Sequence, residues 1–176
     1  MVIEPEFSRL IPLSEIGVGA VERQIRANTE ELAALAKRFE LPSIEKLEAK
    51  LAVRRDGEAI LVEGGMAASV TQSCVITGDP VAAGIDEPML IRFVREPEYA
   101  PDSEIELETE DCDSMFHDGK TIDLGEAAAQ SLLLALNPFP RGPNAETFMK
   151  EAGVKDESEA GPFGALAALK DKLGKS

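Results

Sequence analysis

Leu47-Glu48-Ala49-Lys50-Leu51-Ala52-Val53-Arg54-Arg55-Asp56-Gly57-Glu58-Ala59-Ile60-Leu61-Val62-Glu63-Gly64-Gly65-Met66-Ala67-Ala68-Ser69-Val70 repeats one pattern on either side of a turn. Leu47, Ala49, Leu51 and Val53 alternate with Glu48, Lys50 and Arg54, the period of two that marks a half-buried strand. Asp56-Gly57 supplies a hairpin turn. The return strand places Ile60, Val62, Gly64, Met66, Ala68 and Val70 on one face and continues to Cys74. So long a strand has to curve, and Gly64-Gly65 is the expected bulge or bend.

Further strands are expected at Phe7–Ile11, Val21–Arg26, Met89–Val94 and Glu104–Glu110, the last alternating so strictly that one face is wholly acidic. Gly17-Val18-Gly19 lacks the third glycine of a dinucleotide fingerprint and reads as a loop. Asn28 with Glu31 marks the start of a short helix through Leu32, Leu35, Ala36 and Phe39 that ends before Pro42. The second helix is bounded at both ends. Asp123 can cap it, Glu126 is placed to complete a capping box, and Pro138 stops it. From Ala127 to Leu136 only Gln130 and Ser131 interrupt the apolar run, so this Leu-rich helix is expected to be covered on most sides. Hairpin-length connections and few helices predict an α+β domain over residues 1–137. Its curved antiparallel sheet, or small β-barrel, carries a short N-terminal helix and the buried Leu-rich helix. Residues 138–161 have little to bury and read as a flexible linker. Residues 162–176 form a short tail, with Phe163, Leu166, Ala167, Leu169 and Leu173 spaced as one face of an amphipathic helix.

Three segments carry a resemblance to a known family. Ile122-Asp123-Leu124-Gly125-Glu126 with its Leu-rich helix and Pro138 resembles the Ile-Asp-Leu-Gly-Glu motif of the YceD family. Val70-Thr71-Gln72-Ser73-Cys74-Val75-Ile76-Thr77-Gly78-Asp79-Pro80-Val81 is similar to the central Cys segment of that family, and Pro162–Lys170 to its C-terminal tail. The resemblance implies a role in accumulation of large-subunit (23S) ribosomal RNA. It marks Cys74, Asp79, Pro80, Asp123, Leu124, Gly125, Glu126 and Pro138 as family-motif residues. Many members carry Cys-x-x-Cys where this chain has Cys74 and Thr77, so one thiol of the pair is missing.

The 176 residues suit one domain. No signal peptide and no run of about 18 apolar residues is present, so no membrane association and a cytoplasmic location are expected. The two cysteines, Cys74 and Cys112, fit a reducing compartment as free thiols. The net charge of −15, from 33 acidic against 18 basic residues, repels phosphate backbones. With no Trp and one Tyr, stacking platforms for single strands are scarce as well. A locally basic face remains open through Arg23, Arg26, Lys37, Arg38, Lys46, Lys50, Arg54 and Arg55.

One sulfur at Cys74 cannot form half of a two-thiolate zinc site or an internal redox pair. Cys112, Asp113, His117 and Asp118 are the other conceivable ligand cluster, and with a single His in the chain a surface loop is expected there instead. No metal, cofactor or catalytic residue is expected, and no enzyme. The leading expectation is a non-catalytic ribosome biogenesis factor acting on a large-subunit ribosomal RNA precursor or through a basic ribosomal protein. Residues 96–118 hold ten Asp or Glu and no Lys or Arg, so Glu104, Glu106 and Glu108 are candidate partner-binding residues, together with Phe163 and Leu166 of the tail. A direct RNA-binding protein using the basic N-terminal face is the alternative. A redox or metal enzyme built on Cys74 ranks last.

Overall fold

The alternation in residues 47–70 becomes the central hairpin of an open sheet. The computed structural model describes residues 5–95 and 114–153. In chain order these form β1 (Leu10–Pro12), β2 (Val21–Arg26), α1 (Thr29–Arg38), β3 (Ser43–Asp56), β4 (Ala59–Ser73) and β5 (Pro80–Arg95). There follow β6 (Ser114–His117), β7 (Thr121–Asp123), α2 (Leu124–Ala135) and α3 (Ala145–Glu151). They fall into two units, residues 5–72 with 82–95 and 114–138, and residues 73–81 with 139–153. Residues 73–81, expected within the first domain, thus group with the segment after Pro138. The expected linker contains α3, whose Ala145 is buried.

In the first unit the five-stranded sheet has the order β2-β3-β4-β5-β6. The fold is α+β with a curved sheet that does not close into a barrel. Asp56 pairs with Ala59, which leaves Gly57-Glu58 as a two-residue loop. Gly57 has φ +64° and Glu58 is not in the positive-φ region, the pattern of a type II′ hairpin turn. The expected bulge at Gly64-Gly65 is not found in the β3–β4 ladder, where Leu51↔Gly64 and Lys50↔Gly65 stay in register. The irregularity lies between Ile44 and Lys46, where Glu45 turns its carboxylate to the Ser43 and Thr71 hydroxyls. Gly64 has a different cause. A Cβ there would overlap the Lys50 carbonyl oxygen, so only glycine lets the two backbones come this close.

β5 is longer than the Met89–Val94 segment that the sequence suggests. Pro80, Gly84 and Pro88 hide its first half from a propensity reading. Among the described residues β6 pairs with β5 only from Arg92 to Arg95, so both prolines lie outside the stretch that carries the β5–β6 ladder. That ladder is parallel, a departure from the all-antiparallel expectation. The 18 residues between the two strands supply the length a parallel return needs. The strand expected at Glu104–Glu110 lies outside the described residues.

Leu47, Ala49, Leu51 and Val53 of β3, Ile60, Val62, Met66, Ala68 and Val70 of β4, and Met89, Ile91 and Phe93 of β5 form one buried core. Leu35 and Ala36 of α1 and Leu124, Ala127, Ala128, Ala129 and Leu132 of α2 join it, as do Phe7, Ile11, Ile25 and Ile122. Three consecutive alanines, all fully buried, present no bulk and let α2 settle closely into this core. The expectation that α2 is covered on most sides holds for this half and fails for its end. Leu133 is 47% and Leu134 86% exposed, on the same face as Gln130. Uniform apolarity hid that face, because a leucine pointing outward contributes the same letter as one pointing inward. No helix among the described residues is long and apolar enough to cross a membrane.

This division of α2 separates two substitutions of the same kind. Leu132→Ala removes a fully buried side chain and is expected to cost about 2–5 kcal/mol, whereas Leu134→Ala stays within about 0.5 kcal/mol, as read by urea denaturation of both variants. Equal losses would refute the assigned orientation of the helix.

Candidate functional site

The motif residues at the start of α2 are consumed in holding the fold. Asp123 Oδ1 accepts the Gly125 and Glu126 N–H groups at 2.9 and 3.2 Å, the capping that the sequence predicts. The same carboxylate accepts the Arg9 N–H at 2.7 Å and, through Oδ2, the Ser8 hydroxyl at 2.6 Å. This is why Phe7–Ile11 is not a strand throughout. Ser8 and Arg9 spend their donors on Asp123, and ladder pairing with β7 begins only at Leu10. Leu124 is fully buried. A Cβ on Gly125 would run into the Phe7 carbonyl, so the N-terminal segment crosses the helix start at backbone contact.

Glu126 does not complete a capping box. Its carboxylate takes both guanidinium nitrogens of Arg38 at 2.7 and 2.9 Å and the Gln130 amide at 3.0 Å. Burial works against its ionised form, but Arg38 and Gln130 outweigh that and hold the carboxyl below the usual glutamate value. Arg38 also reaches Glu6 at 2.9 Å. At the other end of α1 the expected capping box is present, Asn28 with Glu31. Arg9 grips Glu31 with both nitrogens at 2.7 and 2.9 Å and donates to the Arg26 carbonyl. The pairings of Arg9 and Arg38 had no signal in the sequence. Their partners lie 22 and 88 residues away, beyond any local pattern.

The second unit is built around Cys74. The Cys74 N–H donates to the Asp79 carbonyl and the Gly78 N–H to the Cys74 carbonyl, so the loop closes on itself, with Gly78 at φ +75°. The Thr77 hydroxyl donates to Asp79 Oδ2 at 2.8 Å and accepts the Asp79 N–H. Pro80 then opens β5. The Val75 N–H donates to the Pro140 carbonyl at 2.9 Å, which lays residues 139–144 along the loop. Cys74 is 3% exposed. Its thiol is drawn down to about 7 by the Gly142 N–H first, then by the Thr77 hydroxyl and the Thr77 and Ile76 backbone. Thr77, standing where many relatives of the resembled family have a second cysteine, thus lies against the sulfur and turns its backbone N–H to it, its single hydroxyl proton being taken by Asp79. Pro138 follows α2 and is exposed, and Asn137 before it accepts the Gln72 amide at 2.8 Å.

Asp118 serves a turn, accepting the Lys120 and Thr121 N–H groups, while His117 is buried on β6 and its Nδ1 accepts the Gly119 N–H. Cys112 and Asp113 lie outside the described residues, as do Glu104, Glu106, Glu108, Phe163 and Leu166. Half of the basic face expected in the N-terminal third is engaged. Arg38, Lys46 and Arg54 form ion pairs with Glu126, Glu48 and Glu63, and Arg55 donates to the Leu13 and Ile16 carbonyls. Among the described residues the other four, Arg23, Arg26, Lys37 and Lys50, have no ion pair.

A family model described as "Large ribosomal RNA subunit accumulation protein YceD" matches residues 62–170, more than half of the chain. Comparisons with curated proteins and with solved structures gave no match. The matched span takes in the Cys74 loop and the Asp123–Glu126 motif, while three partners of that motif, Ser8, Arg9 and Arg38, precede it.

Two measurements follow from these clusters. Asp123→Ala is expected to lower stability by at least the ~0.5–2 kcal/mol of a lost cap, because the Ser8 and Arg9 anchors go with it, and thermal melting reads the loss. Cys74 titrates lower folded than unfolded, so its stabilisation is complete above the ordinary thiol value and disappears as pH falls through about 7. The stability gap between the native chain and Cys74→Ser should therefore widen from about pH 6 to about pH 9.5 in urea denaturation. A gap independent of pH would mean that the thiol is not held as thiolate.

Proposed function

The chain belongs to the YceD family, and we propose that it is a non-catalytic factor for accumulation of large-subunit ribosomal RNA that acts by binding a basic ribosomal protein through an acidic surface. The family match carries the biological process. The charge carries the choice of partner. At −15 the chain repels nucleic acid over a Debye length and attracts polycations, which raises encounter rates with proteins rich in Lys and Arg. The ten acidic residues between Glu96 and Asp118 concentrate that field in one part of the sequence.

The competing RNA-binding role needs clustered free cations that can displace counterions. Arg38, Lys46 and Arg54 are already neutralised by carboxylates of the same fold, which weakens that role. The Cys74 thiol is activated but buried, and a nucleophile 3% exposed has no access to a substrate without opening of its loop. Its N–H donors support the loop instead. In this account the protein guards a basic ribosomal protein, or delivers it, while the large-subunit RNA matures.

Deleting the gene in its host and measuring large-subunit against small-subunit ribosomal RNA tests the proposal. A selective fall in the large-subunit species, restored by a plasmid copy and equally by a copy carrying Cys74→Ser, is the expected result. An unchanged ratio would refute the role, and failure of the Cys74→Ser copy to restore it, if that variant folds, would return the thiol to the mechanism.

A further inference from the structure

The exposed end of α2 borders an open groove of ≈ 580 Å³ within the first unit. Ser131, Leu134 and Ala135 of α2 line one side, and Glu87, Pro88 and Leu90 of β5 the other. Leu134 is 86% and Leu90 55% exposed, and Leu133 adds a half-exposed side chain next to Leu134. Leu133 and Leu134, side by side at the end of α2, and Leu90 group exposed leucines about this depression, the kind of apolar patch that marks a site of contact. The only charged side chain in the lining is Glu87, with exposed Asp86 immediately before it. At its far end β5 runs into the acidic stretch that begins at Glu96.

We propose that this groove is the docking site for the basic ribosomal protein, a further step that rests on the function proposed above. The partner inserts an aliphatic side chain against Leu134 and Leu90 and sets Lys or Arg beside Glu87 and Asp86. Charge complementarity selects this occupant over the others. A second copy of the chain would bring another −15 to an acidic rim, and RNA would bring phosphates to a groove with a carboxylate and no cation in its lining. Apolar contact at the centre supplies affinity, and the surrounding carboxylates supply orientation and speed of encounter.

The test uses the full-length protein, immobilised and presented in turn with each purified large-subunit ribosomal protein of the host and with naked large-subunit ribosomal RNA. At least one of the proteins should bind. Leu134→Ser and Leu90→Ser should each weaken that binding by about tenfold or more, with melting temperatures unchanged because both side chains are exposed. Glu87→Lys should weaken it as well and flatten its salt dependence. Binding to a ribosomal protein that survives all three substitutions would overturn the groove and leave the proposed function standing. If no ribosomal protein binds the unaltered chain, the groove and the choice of partner fall together, while the gene-deletion result still judges the role in RNA accumulation. A native dimer that Leu134→Ser converts to monomer would assign the groove to a second copy, and RNA binding lost with Leu134→Ser would assign it to RNA. Either result overturns the proposal.

Discussion

The contact between the N-terminal segment and the first turn of α2 is the constraint on which the first unit depends. Phe7 is fully buried, and its carbonyl lies where a side chain at position 125 would begin. Asp123 turns this crossing into a joint, because one carboxylate satisfies two helix N–H groups, one backbone N–H and one hydroxyl. A carboxylate accepting that many donors beside a helix N-terminus is favoured by the partial positive charge there. Once Ser8 and Arg9 are fixed, the Arg9 guanidinium is aimed at Glu31, and the start of α1 is held by the same segment. Arg38 closes the loop from the other end of α1 by taking Glu6 and Glu126 together. Two arginines thus tie one short segment to two helices, and the core beneath inherits a single arrangement.

Each of these ion pairs is partly buried, and Glu31 and Glu126 each have more than one donor, which distinguishes them from the pairs on the sheet. Arg54 sits 3.8–3.9 Å from Glu63 and Asp56, and Arg92 is 4.0 Å from Asp56, all on exposed side chains. Such pairs contribute little to stability. Their effect is to spend the few cations of an acidic chain locally. What remains outside is negative, a charge that would be expensive to bring together in a dimer.

The hairpin at residues 47–70 was legible because alternation, a turn and a return alternation all agree, and β3 and β4 extend it at both ends. The caps of α1 and α2 were legible for the same reason, since Asn28 and Asp123 act within three residues of themselves. Glu126 looked like the partner of its own cap, yet an arginine 88 residues away competes better, because a bidentate ion pair is stronger than a neutral N–H donor. The first half of β5 was hidden by Pro80, Gly84 and Pro88, residues that propensity removes from strands and that the ladder tolerates outside its β6 pairing. Gly64 signalled something real but not its cause. Of the motif residues, the sequence identified the positions while the long-range partners of each came only from the folded chain.

Those partners divide the motif by function. Asp123, Leu124, Gly125 and Glu126 are each accounted for by capping, burial, close approach and an ion pair, so nothing in them is left over for a ligand. The Cys74 loop is different in kind. Its hydrogen bonds run from Cys74 to Asp79 and Gly78 and from Val75 to Pro140, a scaffold made almost wholly of backbone, which does not require a second thiol at position 77. A threonine there supplies the hydroxyl proton that holds Asp79, and its backbone N–H favours the sulfur as thiolate. A chain that forms this loop without a cysteine pair has kept its shape by hydrogen bonding.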